Sequence, residues 1–380
     1  MKSCERFVLK QLRSIVSPFL DPMQFAYSAK RSTEDAVLYL LEALYSHLEL
    51  PGSSARIMYF DFSSAFNTIQ PFILARKLKN MNVQNCPIKW ILNYLTNRTQ
   101  HVFLRASNVQ SNILISNTGT PQGTVLAPFL FTIYTSDIRS SSSNCHLIKF
   151  ADDTALLGLI HKEDANEYTQ LVNKFVEYCD DNFLVLNVSK TKELIIDFRI
   201  KRSEPEPVLI KNDPIQRTDH YKYLGVIIDN CLTWTNHIDS ICKKLSPRMY
   251  CLRKMNKFQV NREIMDIFYD SIIASVWKYV ITCWGGNAKS GDKRKITTCI
   301  KQAHKVIGHK LSSFDEAYEK HVFKKLHSIM RDNCHPLFHI FHEAKSARSG
   351  RMLYPAANTN RHKSSFVVRA MKLYNDKHVR

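Results

Sequence analysis

Three aspartates carry the first chemical signal in this sequence. Asp152 and Asp153 stand side by side in the apolar stretch "LIKFADDTALL", and far upstream Asp61 closes the apolar run "ARIMYFDF". Burying an unpaired carboxylate costs on the order of several kcal/mol, so adjacent aspartates must face water or hold cations. An isolated Asp-Asp pair is more often a solvated turn. With Asp61 at a strand end and Asp152 and Asp153 at a hairpin tip, however, three hard oxygen donors can meet at one edge of one sheet. Such a set suits two Mg²⁺ ions, with Mn²⁺ as a substitute. Held roughly 3.5 to 4 Å apart, the pair can activate an attacking oxygen and stabilise a leaving one in phosphoryl transfer.

A second cluster has ligand chemistry of another kind. "NCHPLFHIFHEA" places Cys334, His335, His339 and His342 close together, and thiolate with imidazole suits zinc. The spacing is not that of a standard finger. The pattern reads better as a helix starting at Pro336, with Phe338 and Phe341 packed and the histidines partly exposed.

Several elements are needed to position these groups. "STEDAVLYLLEALYSHL" reads as a helix capped by Ser32, with Asp35 three residues on and apolar residues at 37, 38, 41, 44, 45 and 48. "PGSS" ends it, "ARIMYFDF" follows as a buried strand, and Ser63 or Ser64 can cap the next turn. "HVFLR" is a further strand candidate, "SNTGTPQGT" a loop, and "LAPFLFTIYTSDI" an apolar helix that tolerates Pro128 in its first turn. "HLIKF" and "TALLGLI", separated by Ala151, Asp152 and Asp153, form a hairpin with carboxylates at the tip. From Glu163 the spacing of Tyr168, Leu171, Val172, Phe175, Val176 and Cys179 predicts an amphipathic helix, and "KELIIDF" and "YKYLGVIID" predict strands. Beyond about residue 240 the pattern is helical and basic, with "GGNAKSGDKRK" expected to form a surface loop.

The bulk properties narrow the function classes. The formal charge is +19, and the last 140 residues hold 28 Lys and Arg against 10 Asp and Glu. A basic block of that size is an electrostatic footprint for nucleic-acid backbone. The longest candidate membrane span, Phe268 to Trp284, is broken by Asp270 and Lys278 and falls short of the ~18 uncharged apolar residues a span needs. The N-terminal residues lack the apolar core of a secretory signal, and the ten cysteines form no CxxC pair. These features point to an intracellular protein with reduced thiols.

Six stretches in one order carry a resemblance: "QFAYSAKRSTEDAV", "FDFSSAFNTI", "GTPQGTVLAPFLFTIYTSDI", "FADD", "LNVSKTKE" and "YKYLGVIID". Over nearly its full length the chain resembles the reverse transcriptase of non-long-terminal-repeat retrotransposons, the long interspersed element type. The resemblance implies an α+β right-hand polymerase. Residues 1–55 would form partial fingers, 56–235 a palm of antiparallel sheet with packed helices, 236–310 a thumb-like helical region and 311–380 a basic helical C-terminal region.

The resemblance also implies roles. RNA template, DNA primer and deoxynucleoside triphosphates would be the partners, in the nucleus or cytoplasm, with no membrane. Asp61 and Asp152 would bind both metals, with Asp153 as supporting carboxylate. Phe62 and Phe66 fall at the incoming nucleotide, Phe66 as the bulky gate against a ribose 2′-OH. Gln122 and Gly123 match the loop beneath the nascent base pair, and Arg31 a residue that grips the triphosphate. Lys190 or Lys192 would protonate the leaving pyrophosphate, and Tyr223, Leu224 and Gly225 match the primer grip.

The chain departs from the family pattern in two ways. Lys30 stands where the family has a glycine, and the family's second arginine near Ser28 is missing. The sequence also begins inside the fingers, so an N-terminally truncated polymerase with impaired triphosphate binding is the expectation. The competing readings are a nucleic-acid-binding relic without catalysis, a protein like an intron maturase, and a metal-dependent nuclease.

Overall fold

Alternation along one strand decides the architecture. In a computed structural model that describes residues 2–200, 205–346 and 350–378, every residue of β1 (Ser53–Phe60) is buried. Ala55, Ile57 and Tyr59 enter one apolar core, while Met58 and Phe60 enter another, as the period of two requires when both faces of a sheet are covered. β1 lies centrally, antiparallel to β7 (Asp153–His161) on one side and β8 (Lys192–Ile196) on the other. β6 (Cys145–Phe150) pairs antiparallel with β7, and β11 (Gln216–Arg217) joins β8 in parallel, giving the order β11-β8-β1-β7-β6.

One face is covered by α1 (Lys2–Val16), α3 (Pro71–Asn80), α4 (Asn85–Leu95), α5 (Ala127–Tyr134) and α6 (Asn166–Asp181). On that face Arg56 donates to Glu193 at 2.8 Å, and the Tyr168 hydroxyl donates to the same carboxylate oxygen at 2.8 Å. Burial of these charges is tolerable only because they satisfy one another. The other face meets α2 (Thr33–His47), the hairpin β12–β13 (His220–Tyr223 and Val226–Asp229) and α7 (Thr235–Lys257). This second core continues without a break into the C-terminal helices. They are α8 (Arg262–Phe268), a π-helical segment at Tyr269–Ala274, α9 (Ser275–Lys278), α10 (Ile281–Trp284), α11 (Ser290–Ile307), α12 (Phe314–Met330), α13 (Phe338–Ala344), α14 (Asn360–Lys363) and α15 (Phe366–His378). Trp277 and Trp284, both fully buried, close around Phe314 at 6.1 and 5.7 Å. Short two-stranded ladders complete the chain: β2 (Arg98–Gln100) with β5 (Leu114–Ser116), β3 (Phe103–Leu104) with β4 (Val109–Gln110), and β9 (Leu209–Ile210) with β10 (Asp213–Pro214).

Three expectations change. "HVFLR" contributes only the two-residue β3, with Val102, Phe103 and Leu104 exposed, because it pairs outside the main sheet. The predicted loop 285–295 is half helix: α11 begins at Ser290, since Ile296, Ile300, Ala303 and Ile307 at helical spacing are buried. Its glycine pair is a packing device rather than a surface turn. A Cβ on Gly286 would collide with the Ser364 carbonyl and stand 2.6 Å from the Tyr318 hydroxyl. Ser64 precedes the 3₁₀ turn Ala65–Asn67 in the left-handed region without a side-chain cap. Among the described residues no helix is long and apolar enough to cross a membrane.

Candidate active site at the sheet edge

The register of the sheet brings the three aspartates together. Phe60 pairs with Thr154, so Asp61 leaves β1 beside the start of β7. The β6–β7 turn closes at Phe150 and Asp153, with Ala151 in the left-handed region (φ 56°) and Asp152 beside it. The backbone of Asp61 is anchored from the next segment: Asn187 N–H donates to its carbonyl at 2.8 Å, and its own N–H donates to Thr191 Oγ1 at 3.4 Å. Phe62 bridges to Leu186. The same segment carries Lys190, whose Nζ stands 4.0 Å from Asp61 Oδ2. Lys192 is engaged elsewhere, donating to Ser189 O at 2.7 Å and Gln216 Oε1 at 2.5 Å.

The site is electrostatically crowded. Asp153 keeps a solvent-exposed side chain, yet partial desolvation, then the charges of Asp152 and Asp61, raise its pKa above the usual carboxylate value. Burial, then the charges of Asp153 and Asp61, raise the pKa of Tyr221, and burial, then Asp153 and Tyr221, raise that of Tyr223. Tyr221 stacks on Tyr59 at 4.0 Å with an interplanar angle of 9°, and Tyr223 lies 5.3 Å from the same ring. Three hard oxygen donors that repel one another fit a pair of divalent cations. As they stand, no three acidic, imidazole or thiol groups among the described residues form a ready metal-binding cluster.

Supporting residues that sequence reasoning passed over hold the turn in place. Gln24, from the first of the matched stretches, exchanges hydrogen bonds with both backbone groups of Ala151. The buried Lys149 ammonium pairs with Asp21 at 2.7 Å and donates to the carbonyls of Thr135 and Ile138. Phe66, on its 3₁₀ turn, packs on Phe131 at 4.8 Å, and Thr120 N–H donates to the Phe66 carbonyl at 2.9 Å. That contact ties the loop of Gln122 and Gly123, both exposed, to the Phe66 turn. Leu224 (φ 46°) and Gly225 (φ 86°) turn the β12–β13 hairpin. Tyr279 donates to the Leu224 carbonyl at 3.0 Å and sits where a Gly225 Cβ would meet it at 2.9 Å.

Arg31 and the Cys/His cluster lie together, in a different arrangement from the one expected of the cluster. The Arg31 guanidinium pairs with Asp332 and donates to the Cys334 carbonyl at 2.6 Å, with a nearly buried side chain. His335 is buried rather than partly exposed and bonds Asp35 at 2.8 Å, and Lys325 reaches the same carboxylate oxygen at 2.8 Å. Burial opposes ionisation of Asp35, but His335 and Lys325 outweigh it and hold the carboxyl far below its ordinary range. Cys334, His339 and His342 are exposed, and α13 starts at Phe338, two residues beyond Pro336, with Phe341 buried. The cluster is a structural corner.

Known proteins resemble this chain over most of its length. The chain is 26% identical over 81% of its length to the probable RNA-directed DNA polymerase from transposon X-element of Drosophila melanogaster, covering 34% of that protein. It is 25% identical over 81% of its length to the RNA-directed DNA polymerase from mobile element jockey of Drosophila funebris, again covering 34%. The chain thus spans about a third of the length of these relatives. Among solved structures, apo telomerase from Candida tropicalis aligns with a TM-score of 0.46 at 12% identity, over 87% of this chain and 54% of that one. A model of the N-terminal region of alkylated DNA repair protein alkB homolog 8 matches residues 234–275. The model for reverse transcriptase (RNA-dependent DNA polymerase) matches residues 1–228, from α1 into the β12–β13 hairpin; with well over half of its residues inside that match, this chain belongs to the reverse transcriptase family.

Proposed function

We propose that this chain performs RNA-directed DNA synthesis, adding deoxynucleotides to the 3′-hydroxyl of a DNA primer on an RNA template. The observation that carries the reading is the placement of Asp61, Asp152 and Asp153 at one sheet edge, with the β12–β13 hairpin packed on the strand that ends in Asp61 through Tyr221 and Tyr223 against Tyr59. In the reaction a bond forms between the primer O3′ and the α-phosphorus, and the bond from that phosphorus to the pyrophosphate oxygen breaks. Two Mg²⁺ ions bound at this site would make the primer hydroxyl easier to deprotonate and offset charge on the leaving group. Asp61 and Asp152 would hold both ions, and Asp153 would steady the second.

The remaining roles fall to side chains around that edge. Lys190 stands near Asp61, and its ammonium has no hydrogen-bond acceptor among the described residues. It is better placed than the engaged Lys192 to give a proton to the departing pyrophosphate oxygen. Phe66, backed by Phe131, would exclude a ribose 2′-OH, while Phe62, Gln122 and Gly123 line the nucleotide side. Arg31 would have to exchange Asp332 for a triphosphate oxygen. Residues 56–235 act as palm, 1–55 as fingers, and the helices beyond 236 as the basic cover, with chromosomal DNA as the primer source in the nucleus. The test is incorporation of deoxynucleotides into an oligo(dT) primer on poly(rA) with Mg²⁺. Incorporation that requires the RNA strand supports the reading, and none under any divalent ion contradicts it.

A further inference from the structure

α1 carries a row of cations that the proposed reaction does not use. Lys2, Arg6, Lys10 and Arg13 recur at steps of four, four and three residues along the helix, and all four are exposed. At about 1.5 Å rise per residue they form one stripe with a charge every ~5 to 6 Å. Among the described residues none of them meets a carboxylate; Arg13 lies only over the Phe129 ring, at 5.4 Å. Arg6, Lys10 and Arg13, with Leu9, Ser14 and Ser17, line a shallow surface groove.

The buried face of α1 fixes where the stripe stands. Leu12 and Val16 are buried in the core beneath the sheet. Glu5, 1% exposed, accepts the Val125 and Leu126 N–H groups at 2.6 and 3.2 Å. A carboxylate there satisfies free donors at the start of α5 and favours the positive end of its dipole. α1 is therefore bolted to the end of the loop that carries Gln122 and Gly123. Leu12 and Val16 already lie in the protein core, which leaves Phe7 as the one large apolar side chain that α1 exposes.

We propose that the Lys2–Arg6–Lys10–Arg13 stripe binds the sugar–phosphate backbone of a single-stranded nucleic acid as it approaches the Gln122–Gly123 loop. The assignment rests on the proposed reading of that loop as the floor of the template site. Unpaired cations spaced regularly along a rigid helix recognise phosphates without reading sequence.

The test is binding of the full chain to single-stranded RNA and DNA oligonucleotides by fluorescence anisotropy over a salt series. The triple variant Arg6→Gln, Lys10→Gln, Arg13→Gln should bind both strands more weakly. Its slope of log K against log salt should fall by about 2, at ~0.7 for each phosphate no longer neutralised. Arg6→Lys with Arg13→Lys should keep the wild-type slope, and an unchanged thermal midpoint would show that folding is intact. Loss confined to RNA would still support the stripe and identify its strand as the template. An unchanged slope, or stripe-dependent binding to phosphatidylserine vesicles with RNA binding intact, would overturn it. The readout is binding, so a chain that proves unable to polymerise leaves this test valid, and an active polymerase with an unchanged slope contradicts the stripe alone.

Discussion

Gln24 and Ala151, 127 residues apart, exchange two hydrogen bonds: Ala151 N–H donates to Gln24 Oε1 at 3.0 Å, and Gln24 Nε2 donates to the Ala151 carbonyl at 3.1 Å. One amide side chain thus satisfies both backbone groups of a residue held at positive φ, next to Asp152. Gln24→Ala strands both groups and should cost about 1–3 kcal/mol. The turn should also drift, so primer extension should fall further than the shift in urea midpoint accounts for. Equal loss of the two would show that Gln24 only stabilises the fold.

Lys149 and Asp21 form a buried pair, both under 5% exposed. Removing one partner leaves an uncompensated charge, so Lys149→Met or Asp21→Asn should each destabilise by about 3–5 kcal/mol. The double variant Asp21→Leu with Lys149→Met should recover much of that loss. Chemical unfolding of the three proteins measures it, and additive losses would contradict the pairing.

Much of this arrangement is legible in the sequence because it is local. The Ser32–Asp35 spacing predicts a capping box and α2 has one, while the apolar runs flanking Ala151 to Asp153 give the hairpin. The long-range partners are not legible. Nothing in the spacing says that the other oxygen of Asp35 receives His335 and Lys325, 300 and 290 residues away, which is why the Cys/His cluster suggests zinc. Glu5 looks like an ordinary acidic residue in a basic helix until the fold sets it against Val125. The lysines of 293–295 look like loop because their helix buries a stripe that begins at Ile296.

His237 gives the fold a pH dependence. Its Nδ1 accepts the Ile227 N–H at 3.3 Å, and burial, then Lys244, lower its pKa from 6.5 to about 4. The unfolded ring takes a proton below about 6.5, but the folded ring does so only near 4. This contribution is therefore fully present above pH 6.5 and is lost as pH falls between those values, on the order of 3 kcal/mol in all. Urea midpoints at pH 7 and 5 should fall less in His237→Phe than in the parent chain. Parallel pH profiles would contradict this assignment.

Phe66 should act on sugar choice rather than on rate. Phe66→Ala removes the ring that packs on Phe131, so ribonucleotide incorporation relative to deoxynucleotide should rise at least tenfold. Competition between the two substrates on one template measures the ratio, and no change would remove Phe66 from the nucleotide side of the site.

The most direct test of the central claim is primer extension on an RNA template with deoxynucleotides and Mg²⁺, comparing the chain with Asp152→Asn. The account predicts extension by the parent, loss of at least a thousandfold in the variant, and unchanged salt-sensitive RNA binding in both. Equal extension by the two proteins would show that the carboxylates at the β6–β7 turn are not the reacting centre.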